Sequence, residues 1–350
     1  MRALKRDETI ADLAPLAARP DGAGSSRRAL PPPDAIAALA REIESCLAAC
    51  APLSLGEHPI EAYLASFAEL PAGSQYHAIP PAARATCRAI EAAGGAEAVE
   101  AYHRLVLLHL IMGVIARGPS APMHLTPEAL ALLDAYLARV VADVAKPRKG
   151  FFRHGNDQFA KDFAVCRGRL LPCGVEVLDP LGGIPRRLVF KGRQGADHLR
   201  QAVTMARMAW RLGGTKAVWG LHFDRRQIQN FTAKGYADLY LRVADLLEAN
   251  PEIRGISSGS WWHDPRVLEI SPELSFIGTI PENGGAFLIR VGEDDRTTSD
   301  ALRFAPQRTA LHRLGKYRPC FYMLAWARQD VIAWAEAYRA GSVQRRIPVA

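Results

Sequence analysis

The sequence predicts an all-helical amino-terminal domain followed by an α/β domain with a mixed, partly parallel sheet. Three observations carry this. Residues 34–146 repeat apolar side chains at helical spacing, and the charged break Lys146-Pro147-Arg148-Lys149-Gly150 ends that pattern. Beyond it, two strand-like stretches stand out: 218–224, closing on His222 and Asp224, and 256–265, closing on His263, Asp264 and Pro265. Between them Tyr236, Leu239, Tyr240, Val243, Leu246 and Leu247 recur at i, i+3, i+4, i+7, i+10 and i+11, one apolar face of a helix. Strand, helix, strand is a crossover unit whose strands run parallel, so both polar ends leave the sheet on one edge. Open α/β sheets bind their ligands beyond that edge.

The elements follow in order. Residues 1–33, rich in Arg, Ala and Gly and ending in Pro31-Pro32-Pro33, read as a loosely held arm. Asp34 starts a helix through Ile36, Leu39, Ile43 and Leu47, and Pro59 opens a second with Tyr63, Leu64 and Phe67. Pro80-Pro81 opens a third, which Gly94-Gly95 closes, and 97–117 forms the long central helix, stopped by Gly118-Pro119. Its apolar run, 105–115, is about half of what a membrane span requires, so no span is expected. Thr126-Pro127-Glu128 is an N-cap with a proline in the first turn, ahead of Leu130, Leu133, Tyr136, Leu137 and Val140.

The α/β domain is placed at 151–340. Residues 170–178 and 187–191 read as strands around the turn chemistry of Asp179-Pro180-Leu181-Gly182-Gly183. A helix with Leu199, Ala202, Val203, Ala206 and Trp210 on one face ends at Gly213-Gly214, before the crossover unit. Strands at 286–291 and 320–326, helices at 299–304 and 306–314, and a last helix at 329–338 complete it, and 341–350 forms a basic tail.

Composition narrows the function classes. With 350 residues, 49% of them hydrophobic and 23% charged, the chain has the globular composition and the length of a two-domain protein. A net charge of +8 favours anionic partners. The arginines are scattered and not gathered on one basic helix, which argues against nucleic acid, and a small phosphate-bearing molecule such as a nucleotide or coenzyme A fits the charge equally well. Six cysteines, at 46, 50, 87, 166, 173 and 320, include no Cys-x-x-Cys pair. Cys46 and Cys50, at i and i+4, read as small buried hydrophobes, and the set suits reduced thiols in a cytoplasmic protein.

Between the strand at 187–191 and its helix lies Lys191-Gly192-Arg193-Gln194-Gly195-Ala196. A glycine-rich turn at a helix amino terminus offers free N–H groups and the positive end of the helix dipole to phosphate. This turn, and the order strand, turn, helix, strand, helix, strand over 187–262, resemble the central portion of the GNAT-type acyl-CoA N-acyltransferases. The resemblance covers roughly 80 residues, and Gly192 stands where the family signature has Arg or Gln. It implies a GNAT-like sheet, with Lys191, Gly192, Arg193, Gly195 and Ala196 holding the pyrophosphate of an acyl-CoA. His263 or Asp264 would deprotonate a small amine acceptor.

Two other readings compete. His222, Asp224 and His263 converging from neighbouring strands form a possible divalent-metal set, or a histidine base oriented by a carboxylate. His-Asp-Pro is also an ordinary way to leave a strand, which suits a non-catalytic binding or scaffold protein. Ser257-Ser258-Gly259-Ser260 lacks the nucleophile-elbow pattern. Period two places the indoles of Trp261 and Trp262 on opposite faces of the sheet.

Overall fold

The computed structural model describes residues 30–50, 56–71, 73–146, 148–184, 196–303 and 305–341. Positions 1–29, the predicted strand at 187–191, the turn residues Lys191, Gly192, Arg193 and Gly195, and the tail from 342 lie outside them.

Helices build the first half: α1 (Pro33–Cys50), α2 (Ile60–Ala65), α3 (Pro81–Arg117), α4 (Pro127–Val144) and α5 (Asp157–Cys166). Their ends follow the local chemistry. Pro80 precedes α3, Thr126 Oγ1 accepts from the Ala129 N–H to cap α4, and Asn156 Oδ1 accepts from the Gln158 and Phe159 N–H groups to cap α5. Helix α3 is two helices joined at Gly95, whose φ of 72° and ψ of −170° fall in a region open essentially to glycine alone. The Gly94-Gly95 stop read from the sequence is therefore a turn inside α3. This helix is long and apolar enough to cross a membrane by composition, but it is broken at Gly95 and mostly buried in the protein.

One apolar core runs through the helices from Ile36 and Tyr102 to Phe159, Leu170 and Val177. The aromatic residues after the charged break thus join the helical core, and α5 packs with α3. Cys46, expected to be buried, faces solvent, because Ile43 and Leu47 take the inner side of α1.

The second half is a six-stranded mixed sheet: β1 (Leu171–Pro172), β2 (Glu176–Asp179), β3 (Val218–Phe223), β4 (Gly255–Ser260), β5 (Phe287–Gly292) and β6 (Phe321–Ala327). Its order is β1-β2-β3-β4-β6-β5. Strands β3 and β4 are parallel and every other neighbouring pair is antiparallel. The stretch 170–178, predicted as one strand, is the β1–β2 hairpin, because Gly174 with φ 108° turns the chain within it.

Helix α7 (Ala233–Ala249) crosses from β3 to β4 on one face of the sheet, and its six predicted apolar residues are all buried. It packs beside α12 (Arg328–Arg339) on a core containing Trp219, Ile256, Leu324 and Trp326. On the other face α6 (Ala196–Leu212) covers Val218, Met323 and Ala325 with Met205, Met208 and Leu212. That corrects the face predicted for α6. Leu199 and Trp210 are 69% and 81% exposed, and Val203 also points outward. Helices α8 (Arg266–Ile270), α9 (Phe276–Asn283), α10 (Asp295–Leu302) and α11 (Pro306–Arg313) close the remaining side.

Candidate functional site

The β3–β4 ladder begins at Val218 opposite Gly255 and ends at Leu221 opposite Ser258. Both strands continue. β3 stays paired to β2 through Phe223, and β4 stays paired to β6 through Ser260. The two parallel strands therefore part over their last two residues, each held by its outer neighbour, and leave main-chain groups facing one another across a gap. Ser257, Ser258, Gly259 and Ser260 line the cleft there, and the small size of Gly259 lets the Phe321 ring pack against the strand.

The gap opens into a cleft of about 2310 Å³. One wall is the loop Gly73–His77 from the helical half, with the turn 180–184 after β2. The floor is Gly220, His222, Ser257 and Gly259, and the far wall holds Trp261, Trp262 and Arg308. Lys216, Arg225, Arg296 and Arg303 also line it, against Glu273, Asp294 and Asp300, so the lining carries more cations than anions once Arg169 and Asp179 cancel.

His222 is the predicted residue that the cleft exposes. It leaves β3 toward β2, where its Nε2 lies 3.6 Å from Asp179 Oδ2, and 37% of its side chain remains accessible. The other oxygen of Asp179 accepts from the Leu181 N–H at 2.8 Å and from Arg169 Nη1. Burial by itself would raise the Asp179 carboxyl, but the His222 and Arg169 contacts outweigh it and hold the group below its ordinary value. Arg169 also donates to the Ser74 carbonyl at 3.1 Å, which ties the wall loop to β2. On that loop the Tyr76 ring packs 5.0 Å from the His222 ring, and its hydroxyl donates to Asp157 Oδ1 at 2.6 Å. This is a part-exposed imidazole beside a fixed carboxylate, a pair whose chemistry allows proton transfer.

The remaining predicted residues go elsewhere. Asp224 is 1% exposed and caps the turn after β3, where it accepts from the Arg226 backbone at 3.1 Å and from its guanidinium at 3.0 and 3.1 Å. Arg226 also reaches Asp162 on α5 and Tyr136 on α4, so Asp224 belongs to a buried network that joins the two halves. His263 sits in a single helical turn, Trp261–His263, because the strand ends at Ser260. It is buried, neither ring nitrogen has a hydrogen-bond partner in the structure, and burial pushes its imidazole down to about 3. Asp264 is buried beside it and accepts from the Arg266 N–H at 3.0 Å. Neither His263 nor Asp264 lines the cleft. His222, Asp224 and His263 are not gathered as a metal set; among the described residues the donor triad that is gathered is Cys87, His103 and His154. The same turn corrects the tryptophans. Both line the cleft, with Trp261 under the Arg308 guanidinium at 4.6 Å and Trp262 against Phe223 and Phe231. Of the predicted phosphate turn only Ala196, the first residue of α6, is described.

Asp179 is the residue of the candidate site that sequence reasoning missed. Its signal was the turn sequence Asp179-Pro180-Leu181-Gly182-Gly183, but only the antiparallel β2–β3 register, Asp179 opposite Gly220, brings it to His222.

Comparison with protein-family models, with curated proteins and with solved structures finds no match for this chain.

Proposed function

We propose that the protein is an acyl-CoA-dependent N-acyltransferase-like enzyme that acts on a small amine in the cleft above β3 and β4. The carrying observation is the end of β3–β4 pairing at Leu221 and Ser258, just before His222, which lies beside Asp179. Main-chain groups without a ladder partner across such a gap suit an extended ligand that itself carries amides, as strand addition does for peptides. The pantetheine arm of coenzyme A is a narrow chain with two amide groups, which suits such a strand edge. The cleft volume supports a two-substrate reaction, since pockets for a single drug-sized ligand run to roughly 300–1,000 Å³. Lys216, Arg225, Arg296 and Arg303 supply charge for phosphates at the wall.

In this reading the acceptor amine attacks the thioester carbonyl carbon, the C–N bond forms, and the C–S bond breaks to release the coenzyme A thiol. His222 takes the proton that the attacking nitrogen must lose and returns it to the departing thiolate. Asp179 fixes the ring and stabilises the imidazolium. This base is His222 and not His263 or Asp264, because those two lack access to the cleft.

Melting of the full chain with saturating acetyl-CoA tests the reading. A ligand at a hundred times its Kd adds about 2.7 kcal/mol by mass action, a rise of several degrees for a protein of this size. His222→Ala should keep that rise and lose turnover with an amine panel. An unchanged melting temperature at saturating acetyl-CoA would overturn the proposal.

A further inference from the structure

The helical half contains a second concentration of chemistry, built from residues that do not line the cleft. Cys87 Sγ lies 3.4 Å from His103 Nε2, and one ligand atom from each of Cys87, His103 and His154 falls within 4.8 Å of the others. The Tyr63 hydroxyl joins them, 3.2 Å from His103 Nε2 and in hydrogen-bond contact with His154 Nε2. Four donor atoms, one sulfur, two nitrogens and one oxygen, thus converge from α2, from both parts of α3, and from the loop before α5.

This convergence is built. Cys87 and His103 are 16 residues apart on α3, and on a straight helix that separation is about 24 Å along the axis. The turn at Gly95, in a conformation that side-chain-bearing residues avoid, folds α3 back so that the two side chains touch. The His103 ring is also fixed. Its Nδ1 donates to the Phe152 carbonyl at 2.7 Å, which leaves the Nε2 lone pair facing Cys87 and Tyr63. A backbone carbonyl on the far nitrogen is the usual support of a metal-bound histidine. Tyr63 and His103 are fully buried, whereas Cys87 and His154 keep partial access, which gives an ion a way in.

We infer that Cys87, His103 and His154, with Tyr63 as the fourth donor, form a binding site for a divalent transition metal of the zinc class. Mixed sulfur and imidazole donors suit that class, and a tetrahedral zinc ion places its ligands at about 2.0–2.3 Å, so that they stand roughly 3.3–3.7 Å from one another. Binding releases the Cys87 thiol proton and, with Tyr63 ligating as the phenolate, its phenol proton, and both go to solvent. The ion then cross-links α2, the folded-back α3 and the loop at 154, and its role is to hold the helical half in register.

Cobalt(II) titration of the full-length, untagged, chelator-treated protein tests this. Expected are a thiolate-to-cobalt charge-transfer band, the visible bands of a tetrahedral site, and displacement by one equivalent of zinc(II). Cys87→Ala should abolish the charge-transfer band and weaken zinc binding by more than about 100-fold. Cys46→Ser, which alters an exposed thiol of α1, should leave both unchanged. His154→Gln lies in a loop, so it tests the site without altering α3. Absence of the cobalt bands in the wild-type protein, or identical bands in Cys87→Ala and His154→Gln, would overturn the assignment and leave a hydrogen-bonded cluster only.

Discussion

Replacing Arg226 by methionine removes the cation that two buried carboxylates share. The Arg226 side chain is 12% exposed, and those of Asp162 and Asp224 are each 1% exposed. Its Nη1 lies 2.5 Å from Asp162 Oδ1, its Nε and Nη2 lie 3.0 and 3.1 Å from the two oxygens of Asp224, and Nη2 also donates to the Tyr136 hydroxyl at 2.6 Å. After the change Asp162 keeps Arg139 at 2.6 Å, but Asp224 retains only the N–H of residue 226. Breaking a buried pair by removing one partner costs about 3–5 kcal/mol, because a charge stays behind without water or partner. Since Arg139 still serves Asp162, the lower end, about 3 kcal/mol, is expected. Urea unfolding followed by circular dichroism measures it. Asp224→Asn in the Arg226→Met background removes the stranded charge and should recover more than about 1 kcal/mol of the loss. A cost for Arg226→Met below about 1 kcal/mol, the range of an exposed ion pair, would refute the reasoning.

Other outcomes follow from the same geometry. Burial pushes the Glu176 carboxyl from 4.5 up to about 7, against the lowering effect of the Tyr236 hydroxyl that donates to it at 2.9 Å. A raised carboxyl contributes stability that is complete below pH 4.5 and is lost as pH rises to about 7, on the order of 3 kcal/mol at about 1.4 kcal/mol per pH unit. Glu176→Gln should remove that part of the decline when unfolding is compared at pH 4.5 and pH 8, and an unchanged decline would contradict it. Gly95→Ala should cost about 1–3 kcal/mol by urea unfolding, through backbone conformation alone, because nothing lies within 4 Å of the added Cβ. Gly94→Ala, on the helical side of the turn, should be neutral or mildly stabilising. In the acyl transfer proposed for the cleft, His222→Ala should lower kcat by about 10²–10⁴-fold, with Asp179→Asn lowering it less and leaving KM nearly unchanged. An unaltered kcat in His222→Ala would remove it as the base.

Much of the fold was legible because its signals were local. The crossover unit could be read from six residues of α7, since all six are buried on the sheet. Thr126 and Pro80 marked helix starts by their own backbone chemistry. Helix α6 was misread because it carries two apolar stripes, and periodicity does not say which one meets a sheet; Met205, Met208 and Leu212 do. Trp261, Trp262 and His263 were misread because period two was carried past Ser260, where the strand ends and a helical turn begins. His222 was visible as a polar residue at a strand end. Its partner was not, because Asp179 reaches it through antiparallel pairing that leaves no mark of register in a sequence. The Cys87, His103, His154 and Tyr63 cluster was hidden for a related reason. Gly94-Gly95 announced a helix stop, but that the chain folds back there and brings Cys87 onto His103 is a tertiary fact.

The central claim is that coenzyme A lies in the gap between the ends of β3 and β4. Hydrogen exchange of the full chain with and without acetyl-CoA tests it most directly. The account predicts slowed exchange at 220–223 and 257–260, with smaller effects along the 73–77 loop, and none in α12. Unchanged exchange at both strand ends with saturating acetyl-CoA, or protection confined to other elements, would contradict it.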